Sequence, residues 1–164
     1  MKYLLLVRHA EPHSSIFGQK DIYRSLNTRG NFDAKKMAQE LKNKKYVPDI
    51  IISSPANRAI STSRIIAEII KYPLSNIEIN KNIYYSSWKD VLGIIQKVPD
   101  IHNSLMIAGH NPAFHYLAQI LTGERILSFA TCTMLYIQFD VEEWSKIEVG
   151  KKKFMIYPEL FKKL

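Results

Sequence analysis

Two arginines and two histidines follow apolar runs directly, where such side chains must face either water or an anion. Arg8 and His9 end the run LLLV, Arg58 follows SSPAN, and His110 follows LMIAG. Guanidinium groups form planar forks that match phosphate oxygens, and a neutral imidazole can act as a nucleophile. These residue types predict a phosphate pocket that contains an imidazole nucleophile.

The elements that would position these side chains alternate between strands and helices. Apolar runs predict strands at residues 2–7, 49–54, 76–80, 104–109, 133–140 and 146–157. Apolar stripes predict helices at 28–45, 55–70, 87–98 and 111–123. This alternation predicts a three-layer α/β/α sandwich with a mostly parallel central sheet, formed by one domain over residues 1–164. Because parallel strands end at one edge, where such sheets bind ligands, we expect the four side chains to meet there.

Residues at the predicted helix ends indicate where each helix begins or stops. Thr28, Ser54 and Asn111 are expected as N-caps, and Gly123 as the end of the last helix. Helix N-termini at this edge would add N–H groups and a positive dipole to the phosphate pocket. Cys132 is the single cysteine and is expected to be a small buried residue in a strand, so no internal disulfide is possible.

Each of the four polar residues also has an ordinary structural explanation. Arg8 could extend to solvent, and His9 could be a core histidine with its hydrogen bonds satisfied. Arg58 could lie on the helix surface, although a cation at a helix N-terminus needs an anion nearby. His110 could bond a backbone carbonyl in a loop. The coincidence of all four at predicted strand ends favours a shared site.

Composition excludes some classes of protein and leaves others open. No stretch approaches the about 20 apolar residues that span a bilayer, so a cytoplasmic protein without membrane contact is expected. The formal charge of +8 fits a solvated lysine surface or attraction to an acidic partner. Without a nucleic-acid motif, no nucleic-acid partner is predicted. Pro12 prevents a helix that would align His9 with His13, so neither a metal nor a cofactor is predicted.

Three stretches resemble, in the same order, the signatures of a known family. LVRHAEP, SSPANRAISTS and GHNP resemble those of the histidine phosphatase superfamily, which is also called the phosphoglycerate mutase-like fold. The RHA triplet, the compact length and the spacing of the signatures are closest to its short members, the SixA-like phosphohistidine phosphatases. The segment DIYRSLNTRG also resembles the family's D-x-x-R-x-L-T-x-x-G pattern.

The resemblance implies a role for each matching residue. His9 would be the nucleophile and become transiently phosphorylated, while Arg8, Arg58 and His110 would bind the phosphoryl group and stabilise its transition state. Asp21 and Arg24 match the segment that borders the pocket in the short members. A phosphate or sulfate ion is expected to fit this pocket.

The sequence offers no dedicated carboxylate to supply a proton to the leaving group. Mutases and many broad phosphatases of the superfamily use a mid-chain carboxylate, but the matching region here contains Tyr84, Tyr85 and Ser86. Glu11 is the carboxylate nearest to His9 in sequence and is expected at the rim of the pocket. A poor supply of acids suits a phosphoramidate substrate, because a protonated imidazole leaves more readily than an alkoxide.

The predicted function is therefore a metal-independent phosphatase that acts on a phosphohistidine of a partner protein, in signal transduction. One alternative is a phosphatase of small phosphorylated metabolites, with Glu11 or another group as the acid. A second alternative is a non-catalytic phosphate-binding module. The presence of both histidines argues against this module, since arginines and helix N-termini suffice for binding.

Overall fold

One six-stranded sheet forms the centre of the fold. The computed structural model describes residues 1–162, so residues 163–164 of the expected domain lie outside the described chain. The strands are β1 (Lys2–Arg8), β2 (Ile50–Ser53), β3 (Glu78–Ile79), β4 (Ser104–Gly109), β5 (Met134–Phe139) and β6 (Lys151–Ile156). Their order is β3-β2-β4-β1-β5-β6. The first four are parallel, and β5 and β6 are each antiparallel to the preceding neighbour, which confirms a mostly parallel sheet.

Helices cover both faces of this sheet. They are α1 (Thr28–Asn43), α2 (Asn57–Ile69), α3 (Trp88–Gln96) and α4 (Ala113–Thr122). In β1, Leu4 and Leu6 pack with residues of α3 and α4, whereas Leu5 and Val7 pack with residues of α1 and α2. Because successive strand side chains point to opposite faces, a strand that is apolar on both faces needs two helical layers. The predicted three-layer sandwich is confirmed.

The predicted N-caps of the first two helices were wrong. α1 begins at Thr28, but the capping side chain is Asn27, whose Oδ1 accepts a hydrogen bond from the Gly30 N–H at 2.7 Å. α2 begins later than predicted and has Ala56 at its cap position. The Ser54 hydroxyl accepts a hydrogen bond from the Ala56 N–H at 3.2 Å, in the turn before the helix. Ser54 therefore shapes the entry to α2 without capping it.

The segment from α4 to β5 confirms two predictions and corrects two. Asn111 is not the cap of α4, because Pro112 holds that position and the Asn111 amide donates to the Phe129 carbonyl at 2.8 Å. Gly123 ends the helix with a φ of 67°, the left-handed conformation that glycine adopts readily. Cys132 is buried as predicted, but it precedes β5 in a turn and has a φ of 61°.

Both edge strands are shorter than the sequence patterns suggested. Of the strand predicted at 76–80, only Glu78–Ile79 pairs with β2. The strand predicted at 146–157 begins at Lys151, because a 3-10 helix over Trp144–Lys146 and a following turn come first. Among residues 1–162, no helix is both long and apolar enough to cross a membrane.

Candidate active site

The end of β1 places Arg8 and His9 in the middle of the sheet edge. The His9 N–H donates to the Gly109 carbonyl of β4 at 3.1 Å, and the Arg8 N–H donates to the Thr133 carbonyl before β5 at 3.1 Å. The His9 side chain is buried, and its Nδ1 lies 2.7 Å from the Ala10 carbonyl oxygen. Since a carbonyl can only accept, Nδ1 carries the proton and the lone pair stays on Nε2. His9 therefore has the tautomer that an Nε2 nucleophile requires.

The Arg8 guanidinium is held by the loop between α4 and β5. Its Nη1 donates to the Phe129 carbonyl at 3.2 Å, the same oxygen that accepts from the Asn111 amide. Its Nε is buried and has no hydrogen-bond partner among the described residues. An unsatisfied buried N–H is costly unless an anion satisfies it. Arg8 is thus anchored at one nitrogen and has a donor left for an oxyanion.

Arg58 enters the site from the first turn of α2. Its Nη1 donates to the Asp21 backbone carbonyl and its Nη2 to Asp21 Oδ2, both at 2.9 Å. The side chain is buried, and its Nε has no partner within residues 1–162. Asp21 thus supplies the anion that a cation at a helix N-terminus needs, and it holds the guanidinium in one orientation.

His110 completes the cluster from the end of β4. The centre of its ring lies 5.1 Å from the centre of the His9 ring, and its Nε2 lies 2.7 Å from Ser54 Oγ. Its Nδ1 is buried without a partner in the described chain. A cavity of about 280 Å³ opens beside His110 and Arg58 and is lined on its other side by Tyr84 and Tyr85. Arg58 and His110 are the members of the cluster that line this cavity, and its volume is large enough for a phosphoryl group and part of the group that carries it.

The electrostatics of the cluster disfavour positive charge on the imidazoles. Burial, together with the nearby His110, Arg58 and Arg8, lowers the pKa of His9 to about 3, although its bond to Ala10 opposes the shift. Burial and Arg58 lower the pKa of His110 to about 4. Both rings are therefore neutral at pH 7, and His9 Nε2 is available to attack an electrophile. A bound dianion would offset the repulsion between the two guanidinium groups.

Asp21 is the centre of a hydrogen-bonded group at the rim of this site. Burial would raise the pKa of its carboxyl, but hydrogen bonds from Tyr84, Arg58 and Arg24 outweigh that effect and lower the pKa to about 2. The Tyr84 hydroxyl donates to Asp21 Oδ2, and its ring packs edge-on against His110 at 5.6 Å between ring centres. Burial and the Asp21 carboxylate raise the pKa of Tyr84. Asp21 is therefore ionised at neutral pH, and the Tyr84 hydroxyl stays protonated and donates its hydrogen bond to Asp21.

The structure brings Arg8, His9, Arg58 and His110 together, with Asp21 and Arg24 beside them, as expected from the sequence. Glu11 departs from the expectation, because its side chain lines a separate cavity with Arg29 and Asp33 on the α1 side of the sheet. The Glu11 carbonyl accepts a hydrogen bond from the Asn27 N–H before α1. No cluster of three or more metal-ligating side chains occurs within residues 1–162.

Sequence reasoning missed the contacts of Tyr84 and Ser54. The sequence alone indicates Tyr84 only as a residue where a carboxylate could stand, and Ser54 only as a helix cap. The proximity of Tyr84 to a strand end was the available signal, but its partner Asp21 lies 63 residues away in the chain. Ser54 follows β2 directly, so its nearness to His110 could have been inferred from the parallel pairing of β2 with β4.

Comparison with known families agrees with this geometry. The model of the histidine phosphatase superfamily, branch 1, matches residues 4–130. That range includes all four residues of the cluster and most of the chain. The protein belongs to the histidine phosphatase superfamily.

Solved structures extend the likeness to the whole fold. The protein histidine phosphatase SixA complexed with tungstate is 22% identical, with a TM-score of 0.84 over 98% of this chain and 99% of that one. A protein assigned as phosphohistidine phosphatase SixA in Agrobacterium tumefaciens is 22% identical, with a TM-score of 0.85 over 96% and 98%. Mycobacterial glucosyl-3-phosphoglycerate phosphatase is 12% identical, with a TM-score of 0.66 over 93% and 97%. The predicted phosphoglycerate mutase-like fold is confirmed.

One similar sequence comes from a plant. An uncharacterised chloroplastic protein of Arabidopsis thaliana is 29% identical over 152 residues, which is 87% of this chain and 69% of that protein. It adds no substrate, so the chemistry has to be argued from the site itself.

Proposed function

We propose that the protein is a phosphatase in which His9 accepts a phosphoryl group and passes it to water, and that its substrate is a phosphohistidine on a protein. The observation that carries the proposal is the state of His9, whose Nδ1–H is bound to the Ala10 carbonyl and whose Nε2 is unprotonated. Family membership supports phosphatase activity in general. The tungstate complex of SixA is consistent with an oxyanion at such a site.

The reaction has two steps. In the first, the lone pair of His9 Nε2 forms a bond to phosphorus while the bond between phosphorus and the leaving group breaks. In the second, water attacks the same phosphorus, the bond to His9 breaks, and inorganic phosphate leaves. In the loose transition state of phosphoryl transfer, negative charge is spread over the three equatorial oxygens of the transferred group, so Arg8, Arg58 and His110 are expected to stabilise it by positive charge and hydrogen bonding. The guanidinium groups supply this positive charge, so we expect activity to persist in the presence of a chelator.

The proposed substrate follows from the state of the nearby acids. Asp21 is ionised and bound by Arg58 and Tyr84. The hydrogen bonds of the His9 and His110 rings within residues 1–162 go to the Ala10 carbonyl and the Ser54 hydroxyl, not to a carboxyl group. An alkoxide leaving group needs a proton, typically worth about 10²–10⁴-fold in rate. An imidazole leaving group can depart already protonated, so a site without a free acid still hydrolyses a phosphoramidate. This favours phosphohistidine over sugar or acid phosphates.

The test is to trap the phosphoenzyme. Native protein incubated with phosphoramidate should gain a phosphoryl group that is labile in acid and stable in base, and His9→Ala should not. Arg58→Ala should fold normally and transfer the phosphoryl group much more slowly than the native protein. Parallel assays with a phosphohistidine peptide and with phosphomonoesters test the substrate class. Much faster hydrolysis of the monoesters would overturn the phosphohistidine proposal in favour of a small-metabolite phosphatase, and phosphate binding without turnover would indicate a binding module.

A further inference from the structure

A long groove adjoins the active site, and the proposed chemistry does not use it. Its volume is about 790 Å³, against about 280 Å³ for the cavity beside His110. The two spaces share Tyr84, Tyr85 and Ser86 as lining residues. The groove lies between α3 and the β3-β2 side of the sheet, and its lining includes Ile50 and Ile52 of β2 and Glu78 of β3. A ligand bound at the phosphate site could therefore extend into this groove.

Helix α3 presents one face to the groove, with a glycine at its centre. Lys89, Gly93 and Lys97 all line the groove and are spaced four residues apart, so they share one side of the helix. A Cβ atom built on Gly93 would have nothing within 4 Å. A glycine inside a helix costs about 0.5–1 kcal/mol relative to alanine, and no close packing within residues 1–162 requires it here. The glycine keeps the groove open between two lysines.

The charged side chains that line the groove have a slight positive excess, three lysines against two carboxylates. Lys81, Lys89 and Lys97 face two carboxylates, Glu78 and Asp90. Asp90 is partly engaged, since its Oδ2 accepts a hydrogen bond from the Ser87 N–H at the start of α3. The three lysines are exposed, so the groove is open to solvent along its lysine-bearing lip. Small-molecule sites usually enclose most of their ligand, whereas an open groove with lysines along its lip suits an extended stretch of polypeptide that carries acidic side chains.

We propose that this groove binds the acidic segment next to the phosphohistidine of a protein substrate. The inference rests on the proposed function and adds to it the chemistry of the partner. The phosphoryl group would occupy the cluster at His9, and the neighbouring residues would lie along α3. The lysines would then accelerate association and select acidic flanking sequences.

The experiment compares three probes: phosphoramidate, free phosphohistidine, and a 15-residue peptide with a central phosphohistidine flanked by glutamates. Gly93→Trp fills the groove, and Gly93→Ala is the matched control that adds only a methyl group. For the peptide, kcat/KM should fall about tenfold or more in Gly93→Trp, mainly through KM, and stay unchanged in Gly93→Ala. Turnover of phosphoramidate and free phosphohistidine should remain within about twofold in both variants.

A charge-reversal pair tests the lysines. Lys89→Glu combined with Lys97→Glu should lower kcat/KM for the glutamate-flanked peptide and raise it for a lysine-flanked one. Lys151→Glu combined with Lys153→Glu, in β6, is the control of equal charge and should change the preference much less. A native enzyme that hydrolyses the acidic peptide no better than free phosphohistidine would overturn the docking proposal and leave the catalytic one standing. Equal losses on all three probes in Gly93→Trp would also overturn it. Failure to hydrolyse any phosphohistidine probe would refute the proposed function itself.

Discussion

The neutral state of His9 has a consequence for stability that can be measured without a substrate. The ordinary pKa of a histidine is 6.5, and the pKa of His9 in the folded protein is about 3. Between these values the unfolded chain binds a proton that the folded chain does not. The contribution of a neutral His9 to folding is therefore fully present above about pH 6.5, and it is lost progressively as the pH falls towards 3.

The size of this effect follows from the pKa difference. At pH 5 the unfolded histidine is almost fully protonated, while folded His9 is not. Because pH 5 lies about 1.5 units below the pKa of the unfolded histidine, protonation favours the unfolded state over that interval. At about 1.4 kcal/mol per unit, His9 should lower the free energy of unfolding by about 2 kcal/mol between pH 7 and pH 5. His110, with a pKa of about 4, should contribute a loss of similar size.

Urea unfolding at pH 7, 6 and 5 measures this loss. In His9→Asn the fall in stability should be smaller than in the native protein by about 2 kcal/mol. His13→Asn, at an exposed loop histidine, is the control and should keep the native slope. Sulfate keeps its charge between pH 7 and pH 5. A bound sulfate would favour the protonated ring of folded His9, so added sulfate should reduce the loss of stability of the native protein over this range. Identical pH slopes for the native protein and His9→Asn would refute a buried, neutral imidazole at this position.

Substitutions at three positions test contacts that position the site or stabilise the fold. Tyr84→Phe removes the hydrogen bond to Asp21 and should lower kcat/KM for phosphoramidate by less than about tenfold, since the bond is partly exposed. An unchanged kcat/KM would mean that this hydrogen bond does not help to position the site. Gly30→Ala should lower the free energy of unfolding, measured in urea, by about 1–3 kcal/mol, because the added Cβ would collide with the Glu11 carbonyl oxygen. A variant as stable as the native protein would contradict that close approach. Asn27→Ala should lower the free energy of unfolding by about 1 kcal/mol in the same assay, whereas Asn27→Ser should retain most of the stability that the cap provides. Equal losses of stability in the two variants would refute the capping role.

Much of the site was predictable because the topology of a parallel sheet restricts where strand ends can lie. Once the strands were recognised from their apolar runs, the residues after β1, β2 and β4 had to share an edge. The same logic does not extend to loops. Glu11 is two residues from His9 in sequence, yet it lines another cavity, beside Arg29 and Asp33. Helices α2 and α4 also begin later than the sequence predicts. The residues expected to cap them, Ser54 and Asn111, instead form hydrogen bonds with residues outside these helices.

The sequence by itself determined the order of strands and helices, the convergence of two guanidinium and two imidazole groups, and the family. The order and the convergence follow from local patterns and from the geometry shared by all parallel sheets, whereas the family follows from the resemblance of three motifs. Only the tertiary structure decided that Asp21 orients Arg58 and takes the Tyr84 proton, and that Gly93 leaves a groove beside the site. Contacts of this kind join loops distant in the chain, and their geometry depends on the packing of the whole domain, which no local pattern encodes.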